Sequence, residues 1–480
     1  GSYMISPLHP RNLSLLVLCA LLGCGDPPGP KAPLAGKPIV LIVFDAFAAR
    51  HVHHLGYETE TTPNLDRLAK QGVTFSKAFS PAPYTLASIP SLFTGRLPDR
   101  HGVVEGDHSL PAEELTLAEL LGARGYQTFG AVANIQGGSL RNLQQGFEVY
   151  EELFRDSSPD SQGKAMSFVE PGEFVSVFQR WGEQRDQQRT PFYYAHVLQP
   201  HMPYSPPAKY FEDLVDPDYD GPNALGMDPQ WVINFAKSGG KMVIGEQPHE
   251  VSLVHAEHVL GLYDGHIRYA DNALGDLLDG LKRDGLYDDA LIVVTSDHGE
   301  AMWEHGILGH SRTIFDEMVH VPLVIKMPAG MEADVSRVDD LTSIMDLFPS
   351  ICAWLDAAPP EVIDGELLPR LLDREPKPGR QLFLRTFHSE PTIALRGADS
   401  KIRLNPREGT GIGEAEFYNL RKDPLERSPM AVTAKSSRAG QVMGLRYHYE
   451  QLRESATPQE QAGPRTEADQ KMIEGLGYTD

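Results

Sequence analysis

Two runs of consecutive apolar residues set the frame of the chain. Leu291-Ile292-Val293-Val294 passes through Thr295-Ser296 into Asp297-His298-Gly299-Glu300, and Ile39-Val40-Leu41-Ile42-Val43-Phe44 passes into Asp45. Continuous, largely β-branched runs of this length predict strands buried on both faces, as in a parallel sheet between helices. Each run ends in an acid, and open α/β sheets carry their chemistry at the carboxyl ends of the strands. An Asp-His pair at such an end offers a hard oxygen beside a borderline nitrogen, a combination suited to Zn²⁺ or Mn²⁺. The plainer reading of either acid alone is a helix cap beside a surface histidine.

Other stretches predict what surrounds these strands. Thr62 at a cap, Pro63 at a first helical position, Leu65/Leu68/Ala69 spacing and Gly72 predict a helix. Val73-Thr74-Phe75 and Ala78-Phe79-Ser80 are short strand material. Two prolines, Pro81 and Pro83, lead into a segment where Leu86, Ile89, Leu92 and Phe93 recur at helical spacing, which puts Thr85 at a helix N-terminus. Unpaired N–H groups there favour an oxyanion, although Thr85 alone reads most simply as a cap. A helix over Leu115 to Gly125 precedes the strand Gln127 to Val132, with Asn134 just past its end. Phe192 to Val197 is a further strand, followed by Pro200-His201-Met202-Pro203-Tyr204. Asp216 to Glu250 has no clear period and reads as a functional loop or insert. Tyr263 to Asp284 is a strong amphipathic helix, Val319 to Ile325 a last core strand, and Asp346 to Leu355 a helix. Past Pro376, short alternating strands near residues 381–385, 392–396, 401–404 and 416–420 predict a small antiparallel sheet. Lys435 to Gly463 is charged and at most helical.

With 480 residues the chain can bury one large core and a smaller one. A net charge of −23 with no basic stripe excludes a nucleic-acid partner. Of three cysteines, Cys19 and Cys24 lie in an N-terminal apolar run behind Arg11, which leaves too few for a disulfide framework. That run is too short to span a bilayer and reads as a secretory signal after a cloning remnant, Gly1-Ser2-Tyr3. Leu21-Leu22-Gly23-Cys24 resembles a bacterial lipobox, so Cys24 is expected to carry a lipid anchor. The protein is then expected in a bacterial cell envelope, facing the periplasm or exterior. The expected divisions are residues 1–24 as remnant and signal peptide, 25–37 as linker, 38–375 as catalytic domain and 376–480 as C-terminal subdomain.

The motifs together resemble the sulfatase branch of the alkaline phosphatase superfamily. They run in order from Val43-Phe44-Asp45 and Thr62 to Leu68, through Ser91-Leu92-Phe93-Thr94-Gly95-Arg96, Arg100-His101-Gly102 and Pro200 to Tyr204. Tyr263 to Leu277, Thr295 to Glu300, Glu304-His305-Gly306 and Gly309-His310 follow. Val321-Pro322-Leu323, Phe417 to Leu420, Asp423-Pro424 and Leu476-Gly477-Tyr478 close the series. The resemblance implies an alkaline-phosphatase-like α/β fold, with a mixed, mostly parallel sheet between helices and the small C-terminal sheet. It implies one divalent ion (Zn, Mn or Ca) on Asp45, Asp297, His298 and the nucleophile, and it puts Thr85 at the nucleophile position.

Departures from the family pattern change the expected chemistry. Sulfatases carry a Cys or Ser that is oxidised to formylglycine, with an Arg four residues on; here Thr85 cannot become an aldehyde, and Ile89 follows. Ala46 stands where a second Asp is usual, and Leu308 where a Lys is expected. The chain is thus similar to Thr-nucleophile members, such as phosphoglycerol and phosphoethanolamine transferases and some phosphodiesterases. The expected reaction is attack by metal-activated Thr85 on a phosphate ester, with His201 and His310 as catalytic partners and Asn134 and Arg312 binding substrate oxygens. The alternatives are sulfate ester hydrolysis without formylglycine and a non-catalytic envelope- or glycan-binding descendant. His196 and His305 are weaker candidates, and His51, His53 and His54 read as a solvated loop.

Overall fold

The structure, a computed structural model, describes residues 32–154, 168–228, 231–232, 234, 243–244, 247–248, 252–331, 333–371, 374–388, 391–407 and 411–476. The expected signal peptide, the Cys24 anchor, most of the linker and much of the 216–250 insert lie outside them. Among the described residues no helix is long and apolar enough to cross a membrane.

Strand β1 (Ile39–Asp45), buried at every position, occupies the middle of an eight-stranded sheet. From edge to edge the strands are Arg337–Val338, Val73–Phe75, Leu323–Lys326, Leu291–Ser296, β1, Pro191–Pro200, Gln127–Val132 and Val149–Glu152. All pairings are parallel except those of Leu323–Lys326, which runs against both neighbours. This is the mixed, mostly parallel sheet that the family resemblance implies. The expected single strand over Val319 to Ile325 is instead two: His320–Val321 pairs with Ala78–Phe79 in a small separate sheet, and Leu323–Lys326 joins the main one. Pro322, with no N–H to give a ladder, marks the break.

Helix α1 (Pro63–Ala69) begins where expected, but Thr62 does not cap it. The Thr62 hydroxyl turns to Asp66 Oδ1 at 2.9 Å. The free N–H groups of Asn64 and Leu65 are taken by the two carboxylate oxygens of Asp271, each at 2.8 Å. Asp271 belongs to the Leu253–Arg283 helix, which starts ten residues before the amphipathic stretch read from sequence. The cap is therefore supplied by tertiary structure. Asp66, so freed, accepts from the Nδ1 atoms of His53 and His54 at 2.7 and 2.8 Å. His51 is buried and donates to Asp264 at 2.9 Å. All three histidines are tied to acids: the solvated-loop reading holds for exposed His53 but not for buried His51, with His54 between them.

Helix α2 (Thr85–Thr94) is buried along its whole length. Beyond it, five antiparallel strands from Leu382–Thr386 to Met430–Val432 form the C-terminal sheet in sequence order. The Ala439–Glu454 helix covers that sheet, packing Val442, Leu445 and Leu452 against Ile393, Ile402 and Phe417. The chain then returns: Glu460–Gln461 pairs with His108–Ser109, and Ile473 and Leu476 bury in the main core. Lys401, fully buried, joins the two parts, with Nζ 2.7 Å from both Asp316 Oδ1 and Glu426 Oε1.

Candidate active site and metal centre

The site lies at the carboxyl ends of the three central strands. Asp45 closes β1 at a register shift, where Phe44 pairs with Val197 and Asp45 with Pro200. Ala46 follows in the left-handed region, with φ 60°. A side chain there is strained unless its surroundings hold it. The hold is visible: Ala46 N–H donates to Asp297 Oδ1 (3.2 Å), and the Tyr263 hydroxyl donates to Ala46 O (2.7 Å). The neighbouring strand adds Ser296, whose Oγ accepts Phe47 N–H at 3.0 Å. Asp45 and Asp297 are thereby fixed side by side, both with no exposure.

Thr85 enters from α2. It is the first helical residue, not the cap, which is Tyr84. Its Oγ1 lies 3.4 Å from Asp45 Oδ1 and 3.4 Å from His298 Nε2, and 3.5 Å from Asn134 Nδ2. Asn134 also donates to Asp45 Oδ2 at 2.6 Å, while its own Oδ1 caps the turn Ile135–Gly137.

Three histidines crowd the same space, with ring centroids 4.4 Å apart for His298 and His310 and 4.7 Å for His201 and His310. Each is anchored through Nδ1. His298 Nδ1 donates to Gly299 O (2.8 Å), His201 Nδ1 donates to Met202 O (2.6 Å), and His310 Nδ1 shares a hydrogen bond with Glu300 Oε1 (2.8 Å). For His298 and His201 this fixes the tautomer that keeps Nε2 open as a ligand or acceptor. Burial favours neutral groups, and it lowers the pKa of His201 and lowers that of His310 well below its ordinary value, the latter helped by His298 and His201. Burial likewise pushes Glu300 up to about 8. At His298 burial is outweighed by Asp297 and Asp45, which lift it to about 9. Burial would raise Asp45, but His201, His298 and His196 hold it well below the usual carboxylate range.

A divalent cation fits this donor set. Oxygens of Asp45 and Asp297 and a ring nitrogen of His196 lie within 4.8 Å of one another. His196 Nε2 is 3.6 Å from Asp45 Oδ2 and 3.5 Å from Asp297 Oδ2, and His298 Nε2 is 3.3 Å from Asp45 Oδ1. Both nitrogens of His196 and Asp297 Oδ2 are buried without a hydrogen-bond partner among the described residues. Buried carboxylates and imidazoles left in that state are costly unless a cation engages them.

Of the residues expected from sequence, Asp45, Thr85, Asn134, Asp297, His298, His201 and His310 come together. Arg312 is half-buried on the same segment as His310, whose proton affinity it lowers. His305 does not join them: it stacks on Phe315 at 3.6 Å and bonds to Glu317 and to Glu426 O. His196 moves from the margin to the centre, and Glu300 enters as the partner of His310. Glu300 carried one sequence signal, its place three residues past the strand-end Asp297.

Comparison with known proteins fixes the assignment. The sulfatase family model matches residues 37–357. The chain belongs to the sulfatase family. It is similar to an ulvan-active sulfatase of Formosa agariphila, 26% identical over 87% of this chain and 82% of that protein. It is similar also to a multifunctional alkaline phosphatase superfamily protein of Trinickia caryophylli, 25% identical over 82% of this chain and 91% of that one. In fold it resembles the phosphonate monoester hydrolase of Agrobacterium radiobacter, with a TM-score of 0.66 and 24% identity over 87% of this chain and 95% of the other. The protein is thus a metal-dependent ester hydrolase of the sulfatase family, and the reading as a non-catalytic descendant falls away.

Proposed function

We propose that this sulfatase-family hydrolase cleaves or transfers a phosphate ester with Thr85 as nucleophile, and that a singly charged phosphodiester suits the site best. The observation that carries the reading is the position of Thr85 Oγ1, first in α2 and 3.4 Å from both Asp45 Oδ1 and His298 Nε2. A divalent ion held by Asp45, Asp297, His298 and His196 would supply charge neutralisation and lower the pKa of a coordinated alcohol. In the reaction Thr85 Oγ1 forms a bond to phosphorus as the ester oxygen leaves. The Thr85 hydroxyl hydrogen-bonds to Asp45 Oδ1 and, on a coordinated ion, would lose its proton to water. His310, whose Nδ1 can accept from Glu300 and so leave its ring proton on Nε2, protonates the departing alcohol, and His201 offers Nε2 as an acceptor. Asn134 orients Asp45 and contacts the nucleophile. Water or an acceptor alcohol then attacks phosphorus and releases Thr85.

Charge supports the diester. Buried Ile89 and Leu308 stand where the family resemblance calls for an Arg and a Lys, so the site has two fewer cations, and a singly charged ester needs less neutralisation than a dianion. Phosphonate monoesters, the substrates named for the Agrobacterium relative, are also singly charged. Sulfate ester hydrolysis is the second reading, because the Formosa relative is named a sulfatase and sulfate monoesters carry one charge as well. Turnover of 4-nitrophenyl phosphate, bis(4-nitrophenyl) phosphate and 4-nitrophenyl sulfate, with Zn²⁺ or Mn²⁺ added, separates the readings. The diester is expected to be fastest, with activity lost in Thr85→Ala; dominant sulfate cleavage would restore the sulfatase.

The remaining expectations become part of the same proposal. The enzyme works in a bacterial envelope, tethered by a lipid on Cys24 and the Pro/Gly-rich segment after it. Radiolabelled palmitate incorporation, lost in Cys24→Ala, tests the anchor.

A further inference from the structure

A cavity of about 580 Å³ lies between the catalytic domain and the C-terminal sheet, away from the metal ligands. Arg385 forms part of its wall. The residue is 4% exposed, yet its Nε and Nη1 have no hydrogen-bond partner among the described residues. Its Nη2 donates to the Tyr449 hydroxyl at 3.3 Å, and its guanidinium carbon lies over the Phe387 ring (4.1 Å to the centroid) and the Tyr449 ring (4.8 Å). Asp99 Oδ2 stands 3.6 Å from Nε, close enough for attraction but too far for a hydrogen bond, and it too is unbonded. Arg407 and Arg453 also line the cavity. Three arginines and two carboxylates, Asp99 and Glu105, line the cavity, and Arg453 also pairs with Glu450 at 3.9 Å.

A buried guanidinium that keeps the three N–H groups of Nε and Nη1 unused, held against aromatic rings on the wall of a cavity, is preorganised for an anion. We propose that this cavity binds a small organic anion, a carboxylate, phosphate or sulfate carried on a ring, with Arg385 as the inner contact and Arg407 and Arg453 closing over it. The site does not depend on the role given to Thr85. It adjoins the nucleophile loop, since Arg385 N–H donates to Pro81 O (2.9 Å) and the Tyr84 hydroxyl to Val104 O (3.1 Å). The anion is either a distal part of the substrate or a separate effector.

Calorimetric titration of the full chain with naphthalene-1-sulfonate and with benzoate tests the proposal. Saturable binding is expected, weakened roughly tenfold or more in Arg385→Gln. Because Arg385 is buried, the Arg407→Ala/Arg453→Ala double variant is the control for folding. It is expected to lose binding similarly while its melting temperature stays unchanged. Inhibition competitive with the ester, and relieved in the double variant, assigns the cavity to a distal part of the substrate; binding without any change in KM assigns it to an effector. Failure of both probes to bind, or equal affinity in wild type and both variants, overturns the proposal.

Discussion

At the scale of residues, the centre holds buried polar atoms that find no hydrogen-bond partner among the described residues: Asp297 Oδ2 and the ring nitrogens of His196. A ligand that binds only the folded state stabilises by mass action, about 2.7 kcal/mol at a hundred times its Kd. Chelation is therefore expected to abolish turnover and lower the melting temperature, and added Zn²⁺ or Mn²⁺ to restore both. His196→Ala is expected to cut metal content, measured by elemental mass spectrometry, at least about tenfold; wild-type content in that variant would remove His196 from the site. Glu300 acts through His310 as a positioning residue. Glu300→Gln, which keeps a hydrogen bond, should preserve most of kcat, whereas Glu300→Ala should lose about 10- to 100-fold with KM little changed. Asp45 and the Asp297-His298 pair were legible in the sequence because unbroken apolar runs deliver them to strand ends. His196 was not, because its strand, Pro191–Pro200, is buried at every position, so no alternation sets one residue apart. Thr85 was legible only through its family context, since a threonine before a helical stretch reads locally as a cap.

At the scale of elements, the first helices are held by acids from distant parts of the chain. Asp271→Ala removes the acceptor of two N–H groups of α1 and should cost about 1–3 kcal/mol, read from urea unfolding. Asp66 fastens the 53–55 turn to α1. Burial alone would raise its pKa, but bonds from His54, His53 and Thr62 outweigh it and bring it down to about 2. A depressed folded pKa gives stability that is present above the unfolded value of 3.8 and lost as pH falls through about 2. Asp66 is partly solvated, so the contribution is set at about 1–2 kcal/mol. Asp66→Asn should lose that amount at pH 7 and flatten the acid limb between about pH 4 and 2. Sequence could not foresee these ties. Thr62-Pro63 is a sound local cap signal, but Asp271, more than 200 residues away, takes its place by packing that no short window contains.

At the scale of the molecule, a mixed sheet carries the reactive groups and the C-terminal part is locked against it through buried charge. Asp316 is held well below the usual carboxylate range, because Lys401 and Arg396 outweigh its burial. Replacing Lys401 by Met leaves Asp316 and Glu426 buried without that cation. A loss of about 3–5 kcal/mol is expected, visible as a lower melting temperature. Unchanged stability would mean that the C-terminal sheet is held by its apolar contacts alone. The fold class was legible from the apolar runs and the late short strands. The return of the last helix to the main core was not, because among the described residues it rests on a few apolar positions, Met472, Ile473 and Leu476, in a polar stretch.

Whether Thr85 forms the bond to phosphorus is open to direct observation. Enzyme turning over bis(4-nitrophenyl) phosphate can be quenched in acid and its peptides weighed by mass spectrometry. A 4-nitrophenyl phosphoryl group is expected on Thr85, decaying as product forms. In Thr85→Ser the same group is expected on the substituted hydroxyl, and in Thr85→Ala it is expected to be absent together with turnover. Diester turnover at wild-type rate by Thr85→Ala, with no adduct on any peptide, would contradict the assignment.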